Sequence, residues 1–137
     1  MDKYIEDRTS KTIPELFETG EEYFRNFESL ACKELSEKNN ILISSGGGVV
    51  KRKDNIEILK KECYIIFIDR PLEQLLKDVD ISKRPLLKEG REKINKLYEE
   101  RYDLYKSSAD EIIKNDKDIK ETIDRIKKAI KLNLEID

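Results

Sequence analysis

The chain contains no histidine, only two cysteines and no apolar run near the ~20 residues that a membrane-spanning helix needs. The lack of histidine argues against a histidine-based catalytic triad, and Cys32 and Cys63 form no CxxC pair, which argues against a zinc site. The first residues, MDKY, lack the apolar stretch of a signal peptide. We therefore expect a soluble, cytoplasmic protein that has both cysteines in its core and works through carboxylates, cations, hydroxyls and backbone groups.

The length of 137 residues suits a single domain, 1–137, with one core. The 28 Lys and Arg residues nearly balance the 30 Asp and Glu residues, and the formal net charge of -2 does not suit a basic nucleic-acid-binding surface. Neither a nucleic acid nor a membrane is therefore expected as a partner. Only 8 of the cations are arginine, so an arginine at a specific position suggests a need for its planar fork of donors.

Apolar periodicity predicts helices that alternate with short strands. Thr12 is placed to cap a helix, with Glu15 three residues later, and Gly20 ends that helix. Further helices are predicted at 21–38, 54–61, 72–77, 92–107 and 119–134. Buried strands are predicted at 41–43 and 63–68, a minimal third strand at 111–113, and a mobile loop at 78–91. This order favours an α/β fold, a three-layer sandwich in which a parallel sheet carries helices on both faces.

Two features of the first half of the chain suggest a ligand site. Three consecutive glycines at 46–48 follow a predicted strand and place side-chain-free backbone where ligands bind in open α/β folds, although a tight turn explains them equally well. Arg25 directly follows Phe24, a residue of the apolar stripe of its helix. Its fork of donors suits a carboxylate or a phosphate, and Glu28, three positions later, could orient it. A structural Arg25–Glu28 pair on the helix surface is the alternative.

Two arginines in the second half are weaker candidates on their own. Arg84 precedes Pro85 in a loop long enough to move, as a phosphoryl-transfer lid would be, and a solvated basic loop is the alternative. Arg101 stands in the segment RYDLY, where a surface ion pair would explain it as well.

In their order and spacing these segments resemble the shikimate kinase family over essentially the whole chain. The resemblance is carried by DKYIE, TIPELF, GEEYFR with Glu28, the triple glycine, RPLL at Arg84, and Arg101 with Leu104 and Tyr105. It implies a P-loop domain of the nucleoside-monophosphate-kinase type that uses ATP and Mg²⁺ to phosphorylate the 3-hydroxyl of shikimate. This reaction lies on the route to chorismate and the aromatic amino acids.

The resemblance also implies roles for individual residues. Arg25 and Arg101 would hold the shikimate carboxylate, and Asp2 would contact the substrate hydroxyls and act as the candidate base. Arg84 would reach the phosphates as the lid arginine, within a lid at 78–91. The other implied contacts are the glycine turn of Gly46, Gly47 and Gly48, an acid behind the arginine at Glu28, and an apolar wall of Ile13, Phe17, Phe24, Pro85 and Leu86.

The sequence departs from the family in two places. Lys77 stands where many members have an arginine that stacks on adenine. Lysine is a weaker planar partner for adenine than arginine, so a weaker ATP contact is expected at this position. The 137 residues contain no GxxGxGK[ST], the motif of the loop that cradles the phosphates in this family. In family members an Asp-x-Asp motif follows that loop, and Asp2 stands at the position of its second Asp. We therefore expect that the N-terminal strand–loop–helix–strand and the Mg²⁺ ligands are missing. The chain alone would be inactive and less stable than the complete domain, which would be monomeric.

Other interpretations stay open at this point. The chain could be a non-catalytic descendant that still binds shikimate or a similar hydroxy acid. A different small-molecule P-loop kinase, such as a gluconate kinase, is disfavoured by the pair Arg25 and Arg101. A charged helical interaction module would leave the triple glycine and Arg84 unexplained.

Overall fold

Seven α-helices, one 3₁₀ turn and two short strands occur in the part of the chain that the computed structural model describes, residues 1–78 and 90–134. The chain divides into two units, Met1–Tyr64 and Ile65–Asp137. Arg84, Pro85 and Leu86, with most of the predicted lid at 78–91, lie outside the described residues. Within the described ranges, no helix is long and apolar enough to cross a membrane.

The first unit is helical, with α1 (Asp2–Thr9), α2 (Ile13–Thr19), α3 (Glu21–Ser36), a 3₁₀ turn (Gly47–Lys51) and α4 (Lys53–Glu62). The predicted cap of α2 is confirmed as a capping box. The Oγ1 of Thr12 accepts a hydrogen bond from the Glu15 backbone N–H at 3.4 Å, and the Glu15 carboxylate accepts one from the Thr12 N–H at 2.7 Å. The helix α1 was not predicted from the sequence.

The core of the first unit is built from one residue of α1, one of α2 and the predicted stripe of α3. Its buried members are Ile5, Leu16, Phe24, Ala31 and Leu35, and the partly buried residues packed against them include Ile13, Phe17 and Phe27. Side chains three and four positions apart share one face of a helix, which is why the stripe at 24, 27, 31 and 35 meets α1 and α2.

The predicted buried strand at 41–43 is wrong. The segment is not a strand, and Ile41 and Leu42 are 45% and 85% exposed. A strand needs a neighbour to satisfy its backbone donors and acceptors, and in the part of the first unit described here no other strand exists to supply them. An apolar run alone therefore does not make a strand.

The second unit contains β1 (Ile66–Asp69), α5 (Leu72–Asp78), α6 (Arg91–Ser108), β2 (Glu111–Lys114) and α7 (Ile119–Leu134). The two strands pair in parallel, from Ile66 opposite Glu111 to Asp69 opposite Lys114. Parallel strands joined through a helix are the α/β arrangement that was predicted. The strand predicted at 63–68 begins later, because Cys63 caps α4 and donates its N–H to the Leu59 carbonyl at 2.8 Å.

Aromatic side chains of α6 cover one face of the strand pair. The ring of Phe67 lies 6.0 Å from that of Tyr102 and 5.2 Å from that of Tyr105. Ile68 and Ile112 stay 46% and 44% exposed, so the strand pair is only half covered. The strand at 63–68 was predicted to be buried, and this part of the prediction is wrong. Two of the three predicted strands are present among the described residues. The organisation as a single domain stays a prediction.

Candidate functional site

Arg25 is buried in α3 between two carboxylates of its own helix. Its side chain is 4% exposed, and Nη1 donates to Glu28 at 2.7 Å, where the glutamate side chain is 3% exposed. Nε and Nη2 donate to a single oxygen of Glu21 at 3.2 and 3.1 Å. The pair predicted from the i, i+3 spacing exists, and it is buried rather than on the helix surface.

Glu21 and Glu28 accept hydrogen bonds from three of the five N–H groups of this guanidinium, and within the described ranges one N–H on each Nη atom remains without an acceptor. Two such groups form the fork that binds a carboxylate through both of its oxygens. The guanidinium also lies against the backbone of Gly48, where an added Cβ would come within 2.5 Å of Cζ. The predicted glycine turn thus meets the predicted arginine.

Two aromatic residues of the predicted apolar wall lie beside this arginine. The rings of Phe17 and Phe24 stack with their centroids 4.5 Å apart. The Cζ atom of Arg25 lies 5.1 Å from the Phe24 ring and 5.9 Å from the Phe17 ring, close enough for a cation–π attraction. Ile13 packs against the same core. Of the wall residues, Pro85 and Leu86 lie outside the described part of the chain.

Three charged residues around Arg25 were not predicted. The Nζ of Lys51 donates to the same Glu21 oxygen at 2.6 Å, and Arg52 donates to the backbone carbonyl of Arg25 at 3.1 Å. The hydrogen bond from Lys51, with that from Arg25, lowers the pKa of Glu21 from its ordinary value, although burial opposes the shift. The i, i+4 spacing of Glu21 and Arg25 could have revealed this glutamate, whereas no local pattern points to Lys51.

Asp2, the candidate base, is exposed in the first turn of α1. The amino group of Met1 donates to the carbonyl of Ser44 at 2.7 Å, so the start of α1 lies beside the segment that leads into the glycine turn. Gly46 and Gly47 are exposed and Gly48 is buried. The structure therefore brings the backbone next to Asp2 close to this turn.

Arg101 in α6 is 8% exposed. Among the residues described, nothing forms a hydrogen bond or an ion pair with its guanidinium. An arginine stays charged at any ordinary pH, so burial without an acceptor is costly unless a ligand supplies one. The neighbouring Tyr102 instead donates its hydroxyl to Asp69 at 3.0 Å, and this hydrogen bond raises the pKa of the tyrosine to about 12.

The second unit also holds a cavity of about 370 Å³, lined by Arg70, Asp78, Asn115, Lys117 and Ile119. Arg70 directly follows β1 and Asn115 directly follows β2, so the cavity lies at the carboxyl ends of two parallel strands, where open α/β folds bind ligands. Arg70 pairs with Asp78 at 2.5 Å and donates to the Asn115 carbonyl at 3.0 Å. Lys77 is exposed and precedes Asp78 at the end of α5.

The described residues contain no preformed cluster of metal ligands. Over the ranges 1–78 and 90–134, no group of three or more acidic or cysteine side chains lies close enough together to hold a metal ion. Mg²⁺ in phosphoryl-transfer sites is held by one or two carboxylates together with the substrate phosphates. No residue described here is therefore assigned to Mg²⁺.

Comparison with known proteins places this chain among phosphotransferases. A family model described as shikimate kinase matches residues 1–131. The shikimate kinase of Clostridium beijerinckii is 69% identical over 137 residues, which are 100% of this chain and 81% of that relative. The shikimate kinase of Clostridium botulinum strain Alaska E43 is 55% identical over 130 residues, 95% of this chain and 79% of that relative.

Solved structures agree with the family match. A structure of shikimate kinase from Acinetobacter baumannii in complex with shikimate superposes with a TM-score of 0.85 and 30% identity, covering 98% of this chain and 76% of that chain. Shikimate kinase from Aquifex aeolicus gives a TM-score of 0.81 and 38% identity, covering 97% of this chain and 80% of that one. The predicted α/β fold class of the P-loop kinase type is thereby confirmed. The chain therefore belongs to the shikimate kinase family, whose members are phosphotransferases that act on an alcohol group.

Proposed function

We propose that this chain binds shikimate as the acceptor of the γ-phosphate of ATP and that Arg25 and Arg101 bind its carboxylate. The observation that carries the proposal is Arg101, a residue that is only 8% exposed and whose guanidinium has no partner in the described part of the chain. A carboxylate would supply the acceptor that this buried cation lacks. The similarity to a shikimate kinase that was solved in complex with shikimate supports this choice of ligand.

The surroundings of Arg25 support the same proposal. Two N–H groups of Arg25 have no acceptor among the residues that the structure describes, and the Gly48 backbone and the rings of Phe17 and Phe24 lie beside them. Together these groups offer a fork of donors next to an apolar surface. Shikimate has one carboxylate and an apolar ring edge, and these two features match. Glu28 fixes the fork through a buried 2.7 Å bond, so that little ordering is needed when the ligand binds.

The transfer step that we propose needs a base and a cation. The 3-hydroxyl oxygen of shikimate would attack the γ-phosphorus, its proton would pass to the carboxylate of Asp2, and ADP would leave. Arg84, which lies outside the described residues, would stabilise the charge on the transferred group. Mg²⁺, when bound, would neutralise phosphate charge, and we assign it to none of the described side chains.

We place the nucleoside part of ATP in the cavity at the carboxyl ends of β1 and β2. Its lining combines a cation at Lys117, an amide at Asn115 and an apolar side chain at Ile119. Such mixed walls suit a base and a sugar better than they suit a purely apolar ligand. The exposed Lys77 beside Asp78 would add a point charge near this cavity rather than a stacking plane.

We infer that the 137-residue chain by itself does not complete the transfer. It contains no GxxGxGK[ST] loop, whose backbone and lysine cradle the phosphates in P-loop kinases. ³¹P NMR of the chain with ATP, Mg²⁺ and shikimate should show no phosphorylated shikimate. Sustained product formation by this chain would overturn the inference.

Calorimetric titration with shikimate tests the binding proposal. Arg101→Met should weaken binding by about 10- to 100-fold, because a charged hydrogen-bond partner of the carboxylate is lost. Arg91→Met is the matched control, since Arg91 is exposed at the start of the same helix, and it should bind as the unaltered chain does. Equal affinities for all three proteins would contradict the assignment of Arg101.

A non-catalytic shikimate-binding protein remains the second candidate function. It shares with the kinase proposal the buried Arg101, which lacks a partner among residues 1–78 and 90–134, and it differs in what the whole gene encodes. Sequencing the DNA immediately upstream of the Met1 codon separates the two. An in-frame strand and GxxGxGK[ST] would support the kinase, and an interrupting stop codon would support the binding protein.

A further inference from the structure

Glu21 connects the end of the glycine turn to the Arg25 guanidinium, beside the direct contact at Gly48. One oxygen of its carboxylate accepts hydrogen bonds from Arg25 Nε at 3.2 Å, from Arg25 Nη2 at 3.1 Å and from Lys51 Nζ at 2.6 Å. Lys51 is the last residue of the 3₁₀ turn that begins at Gly47. The chain of contacts therefore runs from the glycine turn through Lys51 and Glu21 to Arg25.

The two acids that hold Arg25 are not equally fixed. The Glu28 side chain is 3% exposed and its position is set by burial, whereas the Glu21 side chain is 33% exposed. An exposed glutamate loses rotamer freedom when it is held in one geometry, so a second partner is needed to keep it in place. The shortest of these three hydrogen bonds is the one from Lys51.

Charge balance points to the same residue. Arg25 with Glu21 and Glu28 carries one net negative charge, which would repel the carboxylate of a ligand. Lys51 brings the cluster to zero, and its contact lowers the pKa of Glu21, which keeps that acid ionised and hydrogen-bonded to Arg25. Without Lys51, the net negative charge around the Arg25 guanidinium would repel an anionic ligand.

The neighbours of Lys51 show that its placement is specific. Arg52 donates to Glu22 at 2.7 Å and to the Arg25 carbonyl at 3.1 Å, which anchors the end of the turn on α3. Lys53 instead pairs with Glu57 of its own helix at 3.2 Å. Only one of these three consecutive cations thus contacts an acid that also holds the Arg25 guanidinium.

We propose that Lys51 is a positioning residue for shikimate binding, which acts by holding Glu21 so that the free edge of the Arg25 fork faces the substrate carboxylate. This inference rests on the proposed function, in which Arg25 binds that carboxylate. Lys51 itself needs no contact with shikimate. The turn that contacts the ligand through its glycines would thereby also set the orientation of the arginine.

Calorimetric titration of the 137-residue chain with shikimate tests the effect on affinity. Lys51→Met should weaken binding about tenfold, and Lys51→Arg should restore most of it because Arg can still donate to Glu21. Lys53→Met is the matched control and should leave the affinity unchanged. In a Glu21→Gln background the loss caused by Lys51→Met should shrink to less than about threefold, because the residue acts through that acid. A loss of the same size in both backgrounds would overturn the positioning role.

Hydrogen exchange of the Arg25 Nε–H in the free chain, followed by NMR, gives a readout that needs no ligand. Lys51→Met should speed this exchange about tenfold, and Lys53→Met should not, because only Lys51 holds the acceptor of that N–H. Faster exchange in a chain that binds no shikimate would support the positioning and refute the proposed function. Unchanged exchange would overturn the positioning, whether or not the unaltered chain binds shikimate.

Discussion

The guanidinium of Arg25 lies directly against the backbone of Gly48, so that a Cβ at this glycine would come within 2.5 Å of the Arg25 Cζ atom. Any larger residue at position 48 would therefore require a shift of the Arg25 side chain, 23 positions earlier in the chain. This contact joins α3 to the glycine turn and fixes the arginine proposed to bind the carboxylate.

Substitution of Gly48 and Gly46 by alanine should have opposite effects on stability. Gly48→Ala forces Arg25 to move and should lower the free energy of unfolding by about 1–3 kcal/mol. At Gly46 an added Cβ would meet no atom within 4 Å, and the backbone conformation is open to any residue. Gly46→Ala should therefore be neutral or stabilise the fold by about 0.4–1 kcal/mol. Urea unfolding measures both values. Equal stabilities would mean that Arg25 does not occupy this position in solution.

Replacement of Arg25 by lysine should cost both stability and shikimate affinity. A single ammonium group cannot donate to Glu21 and Glu28 and still present a fork, and the loss should lower the free energy of unfolding by about 1.5–3 kcal/mol. Arg8→Lys is the control, since Arg8 pairs with Glu34 at 2.6 Å on a half-exposed surface, and its effect should stay below about 0.5 kcal/mol. Calorimetric titration of the two variants with shikimate should show a loss for Arg25→Lys alone.

The contribution of Glu21 to stability should depend on pH. Its pKa is lowered in the folded chain by the hydrogen bond from Lys51, so its ionised form stabilises the fold above its ordinary value of 4.5, and this stabilisation is lost as the pH falls through the lower folded value. Glu21→Gln should therefore be clearly less stable than the unaltered chain at pH 7, and the difference should shrink by pH 3.

Urea unfolding at pH 7, 5 and 3 checks the prediction for Glu21. The control is Glu57→Gln, which removes an exposed pair with Lys53 and should change stability less at pH 7. A difference between Glu21→Gln and the unaltered chain that stays constant from pH 7 to pH 3 would contradict the assigned hydrogen bonds.

Cys32 should be unreactive in the folded protein. Burial raises its pKa to about 12, and only the thiolate reacts with alkylating reagents. With iodoacetamide at pH 8, mass spectrometry should find Cys32 unmodified in the native chain and modified in urea. Cys63 is only partly buried and should react sooner. Equal labelling rates for Cys32 with and without urea would show that the core around α3 is not closed.

The helices were largely predictable because their signals are local. The predicted helix at 119–134 matches α7 at both ends, and the capping box of Thr12 and Glu15 is present as expected. A cap or a stripe of side chains is encoded within a few residues of the helix itself. The exception is α1, where Ile5 is the one buried residue and the apolar period is therefore too weak to detect.

Features that depend on distant partners were less predictable. The segment 41–43 has the composition of a strand and no strand beside it in the described first unit, so composition misled the prediction. Glu28 could be linked to Arg25 because the two lie one helical turn apart. Lys51 could not be linked to Glu21, 30 positions away, because only the fold brings the two together.

The most direct test of the central claim is an NMR titration of the chain, with arginine labelled by ¹⁵N, that follows the Nε–H resonances as shikimate is added. The resonances of Arg25 and Arg101 should shift together and saturably. Those of Arg8 and Arg125, which are paired with acids in the free chain, should not move. Shikimate that left both Arg25 and Arg101 unchanged would contradict the proposal that these two residues bind its carboxylate.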